Sequence, residues 1–65
     1  MKYSEIKTIA DVKQWLKEHP NHIISSAWKD MIEENEEYTL DDFFEESEYQ
    51  MFSYAGGLHP DEIKE

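Results

Sequence analysis

The chain has no cysteine and no arginine, and its only glycines are the adjacent pair Gly56 and Gly57. Without cysteine there are no disulfides and no thiolate metal sites. One glycine pair excludes a glycine-rich phosphate loop, and no Gly-x-Ser-x-Gly elbow is present. No apolar run approaches the roughly 20 residues needed to cross a bilayer. Met1–Ile6 lacks the apolar stretch of a signal peptide. These absences lead us to expect a soluble protein of the cytoplasm, of its own cell or of an infected host, with no cofactor and no membrane partner.

With 65 residues the chain makes a single small domain, residues 1–65. A domain this short buries only about 60 % of its unfolded surface and needs a well-packed core, a dimer or a partner to hold it. Two Trp, four Tyr and three Phe are more aromatics than an acidic disordered tail carries. A folded domain is therefore expected.

Charge is distributed very unevenly. Asp30 to Glu48, nineteen residues, hold ten carboxylates and no basic side chain. The residues before this block sum to +2, the block to −10 and the residues after it to −2, which gives the net charge of −10. Such a surface repels nucleic acid and anionic lipid and attracts basic protein surfaces.

Periodicity predicts three amphipathic helices and no sheet. The first spans Ile9–Glu18, capped by Thr8 with Asp11 in its first turn and stopped by Pro20. Ile9, Val12, Trp15, Leu16 and His19 share one side of it, with Trp15 at the edge of the stripe, where its indole N–H is expected to reach solvent. The second spans Ile23–Glu34, with Asn21 or His22 as cap, Asn35 as terminator and Ile24, Ala27, Trp28, Met31 and Ile32 on its apolar face. The third spans Leu40–Ala55, with Thr39 and Asp42 as a capping box and Gly56–Gly57 as the stop. Its stripe is Leu40, Phe43, Phe44, Ser47, Met51, Tyr54 and Ala55. Pro60 suits the first position of a short terminal turn, and Leu58 or Ile63 is expected to fold back over the core. The expected fold is all-α, a small three-helix bundle with a short C-terminal tail or helical turn.

The candidate partner-binding residues are Asp30, Glu33, Glu34, Glu36, Glu37, Asp41, Asp42, Glu45, Glu46 and Glu48, joined by Tyr49 and Phe52. On the third helix Asp41, Glu45 and Glu48 fall on one flank of the apolar stripe, while Tyr49 and Phe52 project away from the core. Carboxylates accept paired hydrogen bonds from Arg, and exposed aromatics add contact area that excludes water. Carboxylates in a row can imitate nucleic-acid phosphates and engage a Lys/Arg-lined groove. The plainer alternative is a solvated, repulsive surface that keeps a small protein in solution.

Other chemistries fit less well. His19 and His22 have metal-ligand spacing, but Pro20 interrupts the helix between them, and turn or capping roles suit them better. No segment has the alternating acid and glycine pattern of a calcium loop. Carboxylate catalysis needs a pocket that excludes water, for which a bundle of this size has little room, so no enzyme is expected. A three-helix outline can suggest a DNA reader, yet only the side with Lys2, Lys7, Lys13 and Lys17 is basic, and the net charge opposes direct DNA contact.

In size and charge the chain is similar to the acidic proteins with which phages block host defence or DNA-processing enzymes. That likeness implies an inhibitor that binds the basic groove of a nucleic-acid-binding protein. The alternative class is a non-mimic interaction module, such as an antitoxin, adaptor or accessory subunit, that docks through apolar residues such as Trp15, Phe52 or the tail. A homodimer that completes its core is a third reading. Crowded carboxylates should make the fold salt-sensitive: the thermal midpoint should rise with added salt, by about 4 °C or more for each kcal/mol of repulsion screened. Scanning calorimetry across salt concentrations checks this, and a flat response contradicts a dense charge field.

Overall fold

Thr8 and Thr39 each begin a helix by the same chemistry. Thr8 Oγ1 accepts from the N–H of Asp11 (3.1 Å), and the Asp11 carboxylate accepts from the N–H of Thr8 (3.1 Å). Thr39 and Asp42 repeat the exchange at 3.3 and 2.9 Å. Two free N–H groups are satisfied at each start, and the acid faces the positive helix end. The structure, a computed structural model, describes residues 1–34 and 37–63. Its helices are α1 (Ile9–Glu18), α2 (Ile23–Glu34) and α3 (Leu40–Ala55), flanked by 3-10 turns at Tyr3–Glu5 and Pro60–Glu62. The protein is thus a small all-α bundle, with no strand among the described residues. Asn35, expected to terminate α2, lies outside them.

Each boundary has a local cause. His19 is the C-cap of α1, and its N–H returns to the Trp15 carbonyl. Pro20 follows, and the chain turns at once into α2. His22 starts α2: its Nδ1 accepts from the N–H of Ile24 (3.2 Å). Because that nitrogen accepts, Nε2 carries the proton and donates to the Pro60 carbonyl (2.9 Å). One buried imidazole therefore caps a helix and holds the C-terminal turn. α3 ends at Gly56, whose φ of 65° is left-handed, and the N–H of Gly57 returns to the Met51 carbonyl (3.1 Å).

The core is Ile6, Val12, Trp15, Leu16, Ile24, Trp28, Phe43 and Met51. α2 and α3 make the most extensive helix pair. Trp28 is fully buried between them and donates Nε1–H to the Phe43 carbonyl (2.9 Å). Tyr3, from the first 3-10 turn, stacks near Trp28 (centroids 5.8 Å) and meets Trp15 edge-on (6.0 Å). Its hydroxyl donates to Ser47 Oγ, which in turn donates to the Phe44 carbonyl (3.0 Å). Buried Ser25 donates to the His19 carbonyl and ties α2 to the end of α1. The Cα radius of gyration, 10.8 Å, matches the ~10.7 Å expected for a chain of this length.

Two side chains sit differently from their predicted places. Trp15 is 1 % exposed, and its Nε1 is buried without a hydrogen-bond partner, so it does not reach solvent. The N-terminal segment supplies the cover, through Tyr3 and Ile6, at the edge where periodicity left the stripe open. Tyr54 is 71 % exposed instead of core, because in the last turn of α3 its ring lines the open α2–α3 groove. Of the two residues expected to fold back over the core, Ile63 does so, half-buried against it, while Leu58 stays 49 % exposed.

The two ends of the chain are clasped together. Asp61 accepts from the N–H of Tyr3 (2.7 Å) and the N–H of Ser4 (3.4 Å). Burial alone would push this carboxyl up, but the two backbone bonds hold it below its ordinary value. His59 Nδ1 accepts from the N–H of Asp61 (3.1 Å), so its 3.7 Å approach to the Asp61 carboxylate joins an unprotonated nitrogen and is no ion pair.

Two outcomes follow from this packing. Trp28→Ala should cost about 3–5 kcal/mol, against a total of roughly 3–10 kcal/mol for a domain this size, and circular dichroism should find most of the chain unfolded at 37 °C. Asp61→Ala should cost about 1 kcal/mol at neutral pH. A carboxyl lowered in the fold stabilises fully above the ordinary range near pH 4 and ceases to do so as pH falls through its folded value. The difference in melting temperature between wild type and Asp61→Ala should therefore close as the pH drops below about 4.

Candidate functional site

α3 separates its faces cleanly. At about 100° per residue, Phe43, Ser47 and Met51 point inward and are buried. Asp41, Glu45 and Glu48 lie on one flank, all exposed. Along the axis they are about 6 and 4.5 Å apart, from a rise of ~1.5 Å per residue. Phe52 continues the flank one turn further and is 76 % exposed; Tyr49, on the outermost line of the helix, is 64 % exposed. Neither aromatic has a ring partner among the described residues.

The remaining candidates are divided among other places. Asp30, Glu34 and Glu46 line the groove between α2 and α3, together with Tyr38 and Tyr54. Glu46 is half-buried there and accepts from Gln50 Nε2 (2.9 Å). Asp42 is half-buried and engaged in the Thr39 cap, so its carboxylate is already bonded. Glu33 is exposed near the end of α2, and Glu37 is exposed in the connection. Glu36 lies outside the described residues. The block that is continuous in sequence is thus two acidic surfaces in space, the outer flank of α3 and the α2–α3 groove.

A feature that periodicity missed adjoins the flank. Between the second half of α3 and the C-terminal turn is a cleft of about 470 Å³. Met51 and Tyr3 contribute apolar surface to it, Phe52 and Leu58 line its exposed part, and Glu48 joins them. Burial and the charges of Glu48 and Asp61 hold the Tyr3 phenol above its ordinary value, which suits its role as donor to Ser47. No periodic pattern joins residue 3 to residue 58; the Asp61 clasp and the His22–Pro60 bond bring them together.

The histidines are occupied by the backbone. His19 Nε2 donates to the Met1 carbonyl (3.1 Å), His22 is bonded at both nitrogens, and His59 caps the terminal turn. Among the described residues no three His, Asp or Glu side chains gather in a way that could hold a metal ion. No helix among them is long and apolar enough to cross a membrane. Comparison with protein families, curated proteins and solved structures finds no match to this chain.

Proposed function

We propose that this protein is an acidic inhibitor that occupies the basic groove of a nucleic-acid-binding protein or DNA-processing enzyme, imitating the phosphate backbone in the manner of phage anti-defence or host-takeover proteins. It acts by occupancy and not by catalysis. The observation that carries this reading is the outer flank of α3, where Asp41, Glu45 and Glu48 stand exposed in a row beside Tyr49 and Phe52. Their axial spacing of about 5 Å is somewhat looser than the ~3.4 Å rise per phosphate along one DNA strand. A groove lined with Lys and Arg can satisfy both. The second acidic surface, with Asp30, Glu34 and Glu46, widens the negative field and speeds encounter.

A non-mimic interaction module is favoured by one feature, the exposure of Phe52, Tyr49, Tyr54 and Leu58. The two readings differ in their response to salt. A charge-led complex weakens steeply as salt rises, whereas an apolar one does not.

The test begins with capture of partners from host lysate at low salt. A captured DNA-binding protein should be released by duplex DNA and by high salt. The triple change Asp41→Asn, Glu45→Gln, Glu48→Gln should weaken its binding by about 3- to 150-fold, since three exposed pairs each contribute roughly 0.2–1 kcal/mol. Unchanged binding by the triple variant, or a complex indifferent to DNA, contradicts the proposal.

A further inference from the structure

We infer, resting on the reading above, that the cleft between α3 and the C-terminal turn seats an apolar side chain of the partner, one that neighbours a Lys or Arg paired with Glu48. The partner is therefore a basic protein segment with an apolar anchor, not a uniformly cationic surface.

Three observations support this occupant. The first is exposed apolar surface at a formed site. Phe52 and Leu58 are 76 % and 49 % exposed, and both line a cleft of about 470 Å³ that also takes in Met51, itself 3 % exposed. That volume lies within the ~300–1,000 Å³ typical of ligand clefts. The second is fixed geometry. Tyr3 is held by Ser47, and the C-terminal turn is held by Asp61 and His22, so the two sides of the cleft are braced before a partner arrives. Preformed sites bind with less ordering cost. The third is charge. Glu48 is the charged residue of the lining, and Asp41 and Glu45 continue along the same flank. A second copy of this chain would bring a net charge of −10 against the same charge, and nucleic acid would be repelled likewise. A cationic segment satisfies both the acid and the apolar wall. Anchors of this kind, packed in a pocket and ringed by polar contacts, carry most of the energy of protein interfaces.

The test uses two synthetic lysine-rich peptides that differ only in one turn, where the first carries leucines and the second alanines. Each is titrated into the intact protein while backbone amide shifts are followed. The leucine peptide should bind about tenfold more tightly than the alanine peptide, as expected for one buried anchor. Its shifts should centre on residues 47–60. Phe52→Ser or Leu58→Ser should remove that advantage while leaving circular dichroism unchanged, since both side chains lie largely outside the core. Glu48→Gln should weaken both peptides. Equal affinity for the two peptides, an advantage that survives both serine variants, or shifts centred on the α2–α3 groove would overturn the inference. So would concentration-dependent self-association abolished by Phe52→Ser. If the peptides bind equally and salt-sensitively, and Asp41→Asn with Glu45→Gln weakens both, the anchor fails while the charge-led inhibitor stands. If neither peptide binds, both fall.

Discussion

With no disulfide to brace it, a chain of 65 residues has to hold its third helix by packing, and that packing converges on Trp28. The indole is wholly buried against α3 and is tied to the Phe43 carbonyl, so both the position and the rotation of α3 depend on it. Rotation is what the proposed function depends on. A helix that turns about its axis by 100° moves every side chain by one position on the wheel, and the row Asp41, Glu45, Glu48 would no longer face outward as a unit. Tyr3 reinforces the setting from the other side, through the ring contact with Trp28 and the hydroxyl bond to Ser47 in the middle of α3. The acidic flank is displayed because an aromatic cluster and two polar ties fix what lies behind it.

The same constraint explains how a domain this small can carry crowded charge. Acids next to one another repel, and the carboxylates of α3 are relieved in different ways. Asp41 and Asp42 lie in the first turn, where the helix dipole is favourable, and Asp42 completes the cap. Glu46 is bonded to Gln50 across one turn. Among the described residues, Glu45 and Glu48 have no bonded partner and rely on solvent and distance. Within α3, the acids with no bond of their own are well placed to gain from an external cation. That coincidence is the physical basis for assigning them a partner, and the exposed aromatics beside them extend it from attraction to contact.

Local chemistry made most of the fold legible from the sequence. Thr8 with Asp11, Thr39 with Asp42, Pro20 and Gly56 are side-chain and backbone effects that act within four residues, and the helices begin and end where these signals place them. The sorting of α3 into Phe43, Ser47 and Met51 inside and Asp41, Glu45 and Glu48 outside is equally local, a matter of 3.6-residue periodicity. What was not legible is long-range docking. Tyr3 stands alone in a segment without periodicity, so nothing marked it as the ring that covers Trp15 and braces α3. Ser25 is not among the residues of the apolar face predicted for α2, and its burial follows from a bond to a carbonyl six positions earlier. Tyr54 had the right phase for the core but too little chain packed around it. The cleft lined by Tyr3 and Leu58 exists only because two chain ends meet, and no window of sequence contains both.

Amide hydrogen exchange on the free protein addresses the central claim most directly, because it reads whether α3 is held in place before any partner is present. The amides from Phe43 to Met51 should exchange only through global unfolding, at the same low rate as those around Trp28. Exchange of α3 at the rates of an unstructured chain, while α1 and α2 stay protected, would mean that the acidic flank is not a preformed surface.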